Sequence, residues 1–240
     1  GKKLDFGAYG IAVKFADAFL RQMAAQAHAE GTGARGLVSV IEKALLAFEK
    51  SLPSSAVTRF PVTTDVVTDP QAALARLLSS PPDPQVRAAF ERLAAEERSA
   101  IRDYLQTNRK HLTEKYSLTM TPARIDITAG HYIRHITDTG RAVRQIKTYY
   151  DEIKNAELIF FKLHDINIVL EEDAIDLILE MLVESSLDVK GISAMLNSHF
   201  EHGLKLVREK TGRSRFFIPR NGVVDPEGFV RGLITAPPQA

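Results

Sequence analysis

Gly31-Thr32-Gly33-Ala34-Arg35-Gly36-Leu37 is the stretch in which one helix has to stop and another begin. Gly31 and Gly33 end what precedes them, because glycine accepts the left-handed C-cap conformation cheaply. Upstream, Phe19, Leu20, Met23, Ala24 and Ala27 recur at helical spacing from Asp17 onward, and the alanine enrichment supports a helix over 17–30. Before it, Ile11-Ala12-Val13-Lys14-Phe15 alternates apolar and less apolar positions, as a short strand does, behind a turn-like lead-in at 7–10. Downstream, Leu37, Val40, Ile41, Leu45 and Phe48 put one apolar stripe on a helix over 34–51, which Leu52-Pro53 closes. Residues 59–67 then read as a strand pair or one bent strand, Asp69-Pro70 as a turn, and 71–78 as a short helix.

Residues 79–84 hold three prolines and two serines and make the best linker candidate. Beyond them a long helical stretch over 84–115 carries the stripe Phe90, Leu93, Ile101 and Leu105. Residues 118–121 lean toward strand, and Pro122 is placed to start a helix that runs to about 137. Thr139-Gly140 breaks it, and 141–163 reads as another long helix bearing Val143, Ile146, Tyr149, Tyr150, Ile153, Leu158 and Phe161.

The end of the chain repeats its beginning. Ile166-Asn167-Ile168-Val169-Leu170 lies 155 positions after the first strand, and at that offset Asp17 faces Glu172, Leu20 faces Ile175 and Met23 faces Ile178. Gly36 faces Gly191, Leu37 faces Ile192, Ile41 faces Leu196 and Leu45 faces Phe200. With one residue inserted, Arg59-Phe60 matches Arg215-Phe216, Val62 matches Ile218, and Asp69-Pro70 matches Asp225-Pro226. A register held through strand, helix, cap, helix, strand and turn predicts a duplicated structural unit. A weaker third copy is discernible at an offset of 107, where Tyr9 meets Tyr116, Val13 meets Met120, and Thr32-Gly33 meets Thr139-Gly140.

At 240 residues the chain has room for one or two domains, and 45% apolar with 25% charged content is ordinary for soluble globular sequences. A net charge of +1, from 31 cations and 30 anions, gives no drive toward nucleic acid or an anionic membrane. With no cysteine, disulfide scaffolds, thiolate zinc sites and cysteine nucleophiles are excluded. No apolar leader or membrane-length run is present, so a cytoplasmic protein is expected.

Thr32 to Leu37 resembles the sensor-2 signature TGARGL of the ClpX branch of the Clp/Hsp100 AAA+ unfoldases. Residues 10–78 are similar throughout to the small C-terminal subdomain of that family, including the Leu52-Pro53-Ser54 exit at the expected separation. The resemblance implies that Arg35 holds the sensor-2 position, sensing the terminal phosphate of ATP (with Mg) and coupling nucleotide state to the angle between large and small domains. It also implies neighbouring subunits of a hexameric ring as partners, with protein substrates or a partner protease beyond them. The second copy departs where that function would matter. Lys190 stands opposite Arg35, Asp188-Val189 replaces Gly33-Ala34, and the Leu-Pro-Ser exit is missing. Lysine lacks the planar fork that suits arginine to phosphate, so the second copy is expected to keep the fold and not the nucleotide contact. No P-loop or Walker B pair occurs, so the chain is expected not to hydrolyse ATP by itself. With Gly1 in place of Met, it is expected to be the C-terminal part of an AAA+ protein whose motor domain lies upstream.

Other constellations take plainer readings. His131 and His135 sit at i and i+4, but Tyr132 stands where a zincin has Glu and no third ligand follows, so a solvated or partner-facing helix is expected. His199 and His202 are read likewise. Glu171-Glu172-Asp173 falls where a helix begins and reads as capping. Arg141, Arg144 and Lys147 read as a solvated face, with Asp151 and Glu152 nearby, and Tyr149-Tyr150 and Phe160-Phe161 as core or interface. The expected fold class is α+β and mostly helical: duplicated helical units, each with a small sheet, joined by a helical middle segment. The expected domains are 1–80, 81–163 and 164–240. The function expected is a small-domain and extension module of a ClpX-like ATPase. The competing expectation is a non-catalytic scaffold that docks a protein partner.

Overall fold

The apolar alternation at 11–15 forms a strand that cannot bury its inner face alone, so the elements that directly follow it pack on that face. A computed structural model describes residues 2–31, 33–135 and 137–235, with Ala34 described by its backbone alone. Helix α1 (Lys2–Gly7) leads into strand β1 (Ala12–Phe15). Then follow α2 (Asp17–Ala29), α3 (Gly33–Ser51), a single 3₁₀ turn (Leu52–Ser54) and β2 (Arg59–Val62). The strands pair in parallel, Ala12 opposite Arg59 and Phe15 opposite Val62. Such a pairing needs a crossover, which α2 and α3 supply. Phe19, Met23, Leu45, Phe48 and Phe60 are fully buried between sheet and helices, and Phe48 stacks on Phe60 with ring centroids 5.1 Å apart.

The strand pair or bent strand expected over 59–67 is a single short strand that ends at Val62. Residues Asp65–Thr68 form a helical turn, α4, followed by α5 (Pro70–Leu77). The β-branched Val66 and Val67 favour strand locally, but burying Val66 in the core overrides that preference. Asp69 caps α5 by accepting from the Ala72 amide at 3.1 Å.

Next come α6 (Pro84–Thr107), α7 (Arg109–Tyr116), α8 (Pro122–Arg134) and α9 (Thr139–His164). The single helix expected over 84–115 is thus broken at Asn108, whose side-chain amide donates to the Tyr104 carbonyl at 2.8 Å and competes with the backbone ladder. Residues 118–121 form no strand: Leu118 and Met120 turn into the core, and the Thr121 hydroxyl caps α8 at the Arg124 amide. The break expected at Thr139-Gly140 lies earlier, because Asp138 caps α9 at the Arg141 amide, 2.8 Å. The expected end of the preceding helix at about 137 moves back to Arg134; Ile136 lies outside the described residues.

The last part is β3 (Asn167–Leu170), α10 (Glu172–Val183), α11 (Val189–Thr211), β4 (Arg215–Ile218), α12 (Arg220–Val224) and α13 (Pro226–Thr235). It repeats the first part element for element. Asn167 pairs with Arg215 and Leu170 with Ile218, the register of β1 and β2 shifted by the offsets read from sequence. Even the flanking bonds recur: the Ala12 amide donates to Thr58 and the Asn167 amide to Ser214, at 2.9 and 2.7 Å. Asp225 caps α13 at the Gly228 amide as Asp69 caps α5. Without a Leu-Pro-Ser exit, α11 runs on to Thr211 and stops at Gly212, whose φ of 71° is left-handed. The weak third copy is matched by the helical pair α8 and α9, but no strand precedes it among the described residues.

Of the described residues 75% are helical, and the strands form two small parallel sheets, the mostly helical α+β class. It divides into two compact units, Gly1–Ala100 and Ile101–Ala240, with the division inside α6, where boundaries had been expected at 80 and 163. Leu93 of α6 belongs to the core of the first unit. In the second unit one continuous core joins residues of α8 and α9 to those of β3, α10 and α11. No helix among the described residues is long and apolar enough to cross a membrane.

Candidate functional site

The cap turn between α2 and α3 forms as its glycines require. Gly31 and Gly33 have φ of 66° and 59°, in the left-handed region, and the Gly31 amide donates to the His28 carbonyl at 3.0 Å. Thr32 lies outside the described residues. Gly36 is buried and Leu37 packs against the core, so this side of α3 faces inward. Arg35 lies on the opposite side. It is exposed on the first turn of α3, and no hydrogen bond or ion pair engages it among the described residues. A guanidinium free of internal partners can bind an anion presented to it, and the positive end of a helix favours that charge. One cation and one helix end do not make a phosphate cradle.

The equivalent turn of the second copy is built differently. The Asp188 carboxylate caps α11 by accepting from the Gly191 amide at 2.6 Å. A Cβ on Gly191 would stand 2.9 Å from both that carboxylate and the Leu187 side chain, which explains why the cap pairs with glycine there. Lys190 is exposed beside it.

His131 and His199 depart from a solvated reading, whereas His135 and His202 are exposed as expected. His131 is only 8% exposed, and its Nδ1 is buried with no hydrogen-bond partner. Burial, helped by the neighbouring His135 ring 4.4 Å away, lowers its pKa to about 4. His199 is half-buried with its Nδ1 unpartnered, and burial lowers its pKa as well, whereas His202 is exposed. No cluster of three or more potential metal-binding His, Asp or Glu side chains occurs among the described residues.

The acidic run at 171–173 does more than cap its own helix. Glu171 makes no side-chain cap bond. Asp173 instead accepts from the Arg220 amide at the start of α12, 3.1 Å, and Glu172 reaches Arg124. Arg124 is the residue that sequence reasoning missed. Only 1% exposed, it donates Nε to Asp176 at 2.8 Å and Nη1 to the Thr119 carbonyl at 2.9 Å, and lies 4.9 Å from the Tyr150 ring centre. Burial pushes the Asp176 carboxyl above its ordinary value, which Arg124 opposes without cancelling. Arg124 is fully partnered, with Asp176 inside and the exposed Glu172 at the surface, and the cluster ties α8 to α10 beside Tyr150 of α9. Arg141 and Lys147 pair with Asp138 and Asp151 on the surface, Phe160 is core, and Tyr149 and Tyr150 pack partly against it.

In the first unit a groove of about 590 Å³ lies among β2, α5, the residues at 78–83 and the start of α6. Arg59, Arg76 and Arg87 line it, but Arg59 is engaged by Glu91 at 2.6 Å and Arg76 by Asp65. Apolar and polar groups alternate there with no convergent nucleophile or acid–base pair. Arg35 is not among its lining residues. No protein-family model, curated protein or solved structure matches the chain.

Proposed function

We propose that residues 10–78 are the small, sensor-2 domain of a ClpX-like AAA+ ATPase, with Arg35 as the arginine that meets the nucleotide held by the large domain of the parent protein. The observation that carries this is an unpartnered, exposed guanidinium on the first turn of α3, directly after two left-handed glycines and within Thr32-Gly33-Ala34-Arg35-Gly36-Leu37. Support also comes from the strand–helix–helix–strand order and the Leu52-Pro53-Ser54 exit. On this reading ATP and Mg bind chiefly upstream. Arg35 adds one contact, and the chain contributes to the subunit contacts of a ring that unfolds proteins.

The test is Arg35→Ala in the full-length parent. ATP turnover and the nucleotide-driven domain movement should fall at least tenfold together, the cost of one charge-assisted phosphate contact; unchanged values would sink the coupling role. The chain by itself should show no heat of ATP binding by calorimetry, since one guanidinium lacks a cradle, and tight binding would overturn that view.

A second reading, a non-catalytic scaffold, is favoured by one specific observation: the outer face of the second sheet is open, with Phe217 47% exposed.

A further inference from the structure

The two sheets share a register but not a cover. In the first copy Phe60 and Val62 face the core, while Arg59 and Pro61 face outward. Helix α6 lies on that outer face. Leu93 is 2% exposed against the core, and the Phe90 ring lies 5.7 Å from the Arg59 guanidinium, which also pairs with Glu91. Glu97 is gripped at 2.5 Å by both Lys14 of β1 and Lys3 of α1. Pro61, facing outward, is nonetheless buried.

In the second copy Phe216 and Ile218 face the core, and Arg215 and Phe217 face outward, with no helix of the α6 kind upon them among the described residues. Phe217 is 47% exposed where Pro61 is buried. Arg215, the counterpart of Arg59, has no carboxylate partner among the described residues and lies against Phe217 at 5.2 Å. Val169 stands where Lys14 does. The groove beside it, about 270 Å³, includes the apolar side chains of Leu158 and Phe161, both more than 40% exposed.

We propose that the outer face of β3 and β4 docks an amphipathic helix of a partner chain, lying on it as α6 lies on β1 and β2. The face itself specifies the helix. It needs a carboxylate at the position of Glu91, because Arg215 retains the arginine that Glu91 serves. It needs an apolar residue at the position of Glu97, because the lysine from β1 that holds Glu97 has become Val169, with Leu158 and Phe161 alongside. It needs an aromatic and aliphatic stripe, as Phe90 and Leu93 provide, to cover Phe217. This is recognition of a helix by spaced apolar anchors with a charge fixing its direction. It does not depend on the role given to Arg35.

The experiment titrates the full chain against a labelled synthetic peptide of residues 84–100 carrying Glu97→Leu, followed by fluorescence anisotropy. Saturable binding is expected, weakened about tenfold or more by Phe217→Ser or Arg215→Glu in the chain. Binding to the Arg215→Glu chain should recover when the peptide also carries Glu91→Arg, a charge swap that general unfolding cannot mimic. The unsubstituted peptide should bind more weakly than the Glu97→Leu form. Absence of saturable binding overturns the proposal. So does binding indifferent to both chain variants, which would place the peptide elsewhere, for instance in exchange with α6 on the first sheet. Sedimentation of the chain alone should give a monomer mass; a dimer dispersed by Phe217→Ser would mean that a second copy, not a partner helix, covers the face.

Discussion

The two copies share strands, register and caps, yet they fasten the helix after the first strand in opposite ways. In the first copy Asp17 and Arg21 pair along the surface of α2, both more than 70% exposed. In the second, the same two positions are Glu172 and Asp176, and both turn to Arg124 of α8. The first arrangement is worth little, as exposed pairs one helical turn apart are. The second ties α10 to a neighbouring helix. One backbone plan therefore tolerates a decorative ion pair or an internal one, and only the second constrains how the unit is assembled.

The largest effect that can break this comparison is Arg124→Ala. It strands Asp176 in the core and should cost the second unit about 3–5 kcal/mol, read by urea denaturation, while Arg21→Ala should shift the first unit by less than about 0.5 kcal/mol. Because burial already disfavours the Asp176 carboxylate, most of that cost is the stranded carboxyl and not the net worth of the pair. Arg124→Met with Asp176→Leu should recover most of the loss. A double variant as unstable as Arg124→Ala alone would contradict that account.

Acid separates the units next. The first unit has a single histidine, His28, and it is exposed; the second holds His131 and His199 with lowered pKa values. A depressed imidazole stays neutral in the folded state while the unfolded chain takes up the proton. The second unit should therefore lose stability as pH falls from the ordinary value of 6.5 toward about 4, by up to about 3 kcal/mol for His131. His131→Leu should flatten that slope. In the first unit Glu97 is desolvated, which raises its pKa, but Lys14 and Lys3 together outweigh this and lower it. Its contribution is therefore lost only below the usual carboxylate range. Coincident acid transitions of the two units would count against this ordering.

The duplication was legible because its signals are local and periodic: alternation at β1 and β3, apolar stripes on α3 and α11, and the turns at Asp69-Pro70 and Asp225-Pro226. Three things were not. Arg124 looks like any helical arginine until α8 meets α10, residues 48 and 52 positions away in sequence. His131 shares its spacing with metal sites and gives no local sign of burial. The division within α6 depends on Phe90 and Leu93 packing on a sheet formed some 30 residues earlier, which their helical spacing does not reveal. Of the candidate site, the position of Arg35 at the start of a helix followed from the glycine cap, whereas its exposure and the open face at Phe217 depend on which elements pack around them.

A smaller effect probes the caps. Asp188→Ala removes the side-chain cap of α11 and should cost about 1 kcal/mol. In the first copy residue 33 is a left-handed glycine with no side chain to lose, so Gly33→Ala should cost a similar amount through backbone strain instead. Restoration by Asn or Ser at 188 but not by Ser at 33 in the same thermal melts would show that the two turns reach one geometry by different means.

The smallest expected effect bears most directly on function. Arg35 is exposed and has no partner among the described residues, so Arg35→Ala should change the stability of the first unit by less than about 0.5 kcal/mol. Lys190→Ala should do the same in the second. Near-equality of the two is what gives the activity test its meaning: a residue that the fold does not need, yet whose loss cripples nucleotide response in the parent, acts on the nucleotide. If Arg35→Ala instead unfolded the unit by 2 kcal/mol or more, on the scale of lost core contacts, the arginine would be a structural pin and its resemblance to a sensor would carry no weight. Lys190→Arg then completes the contrast. It restores the fork to a turn with no large domain expected opposite it, and should leave both stability and nucleotide response unchanged.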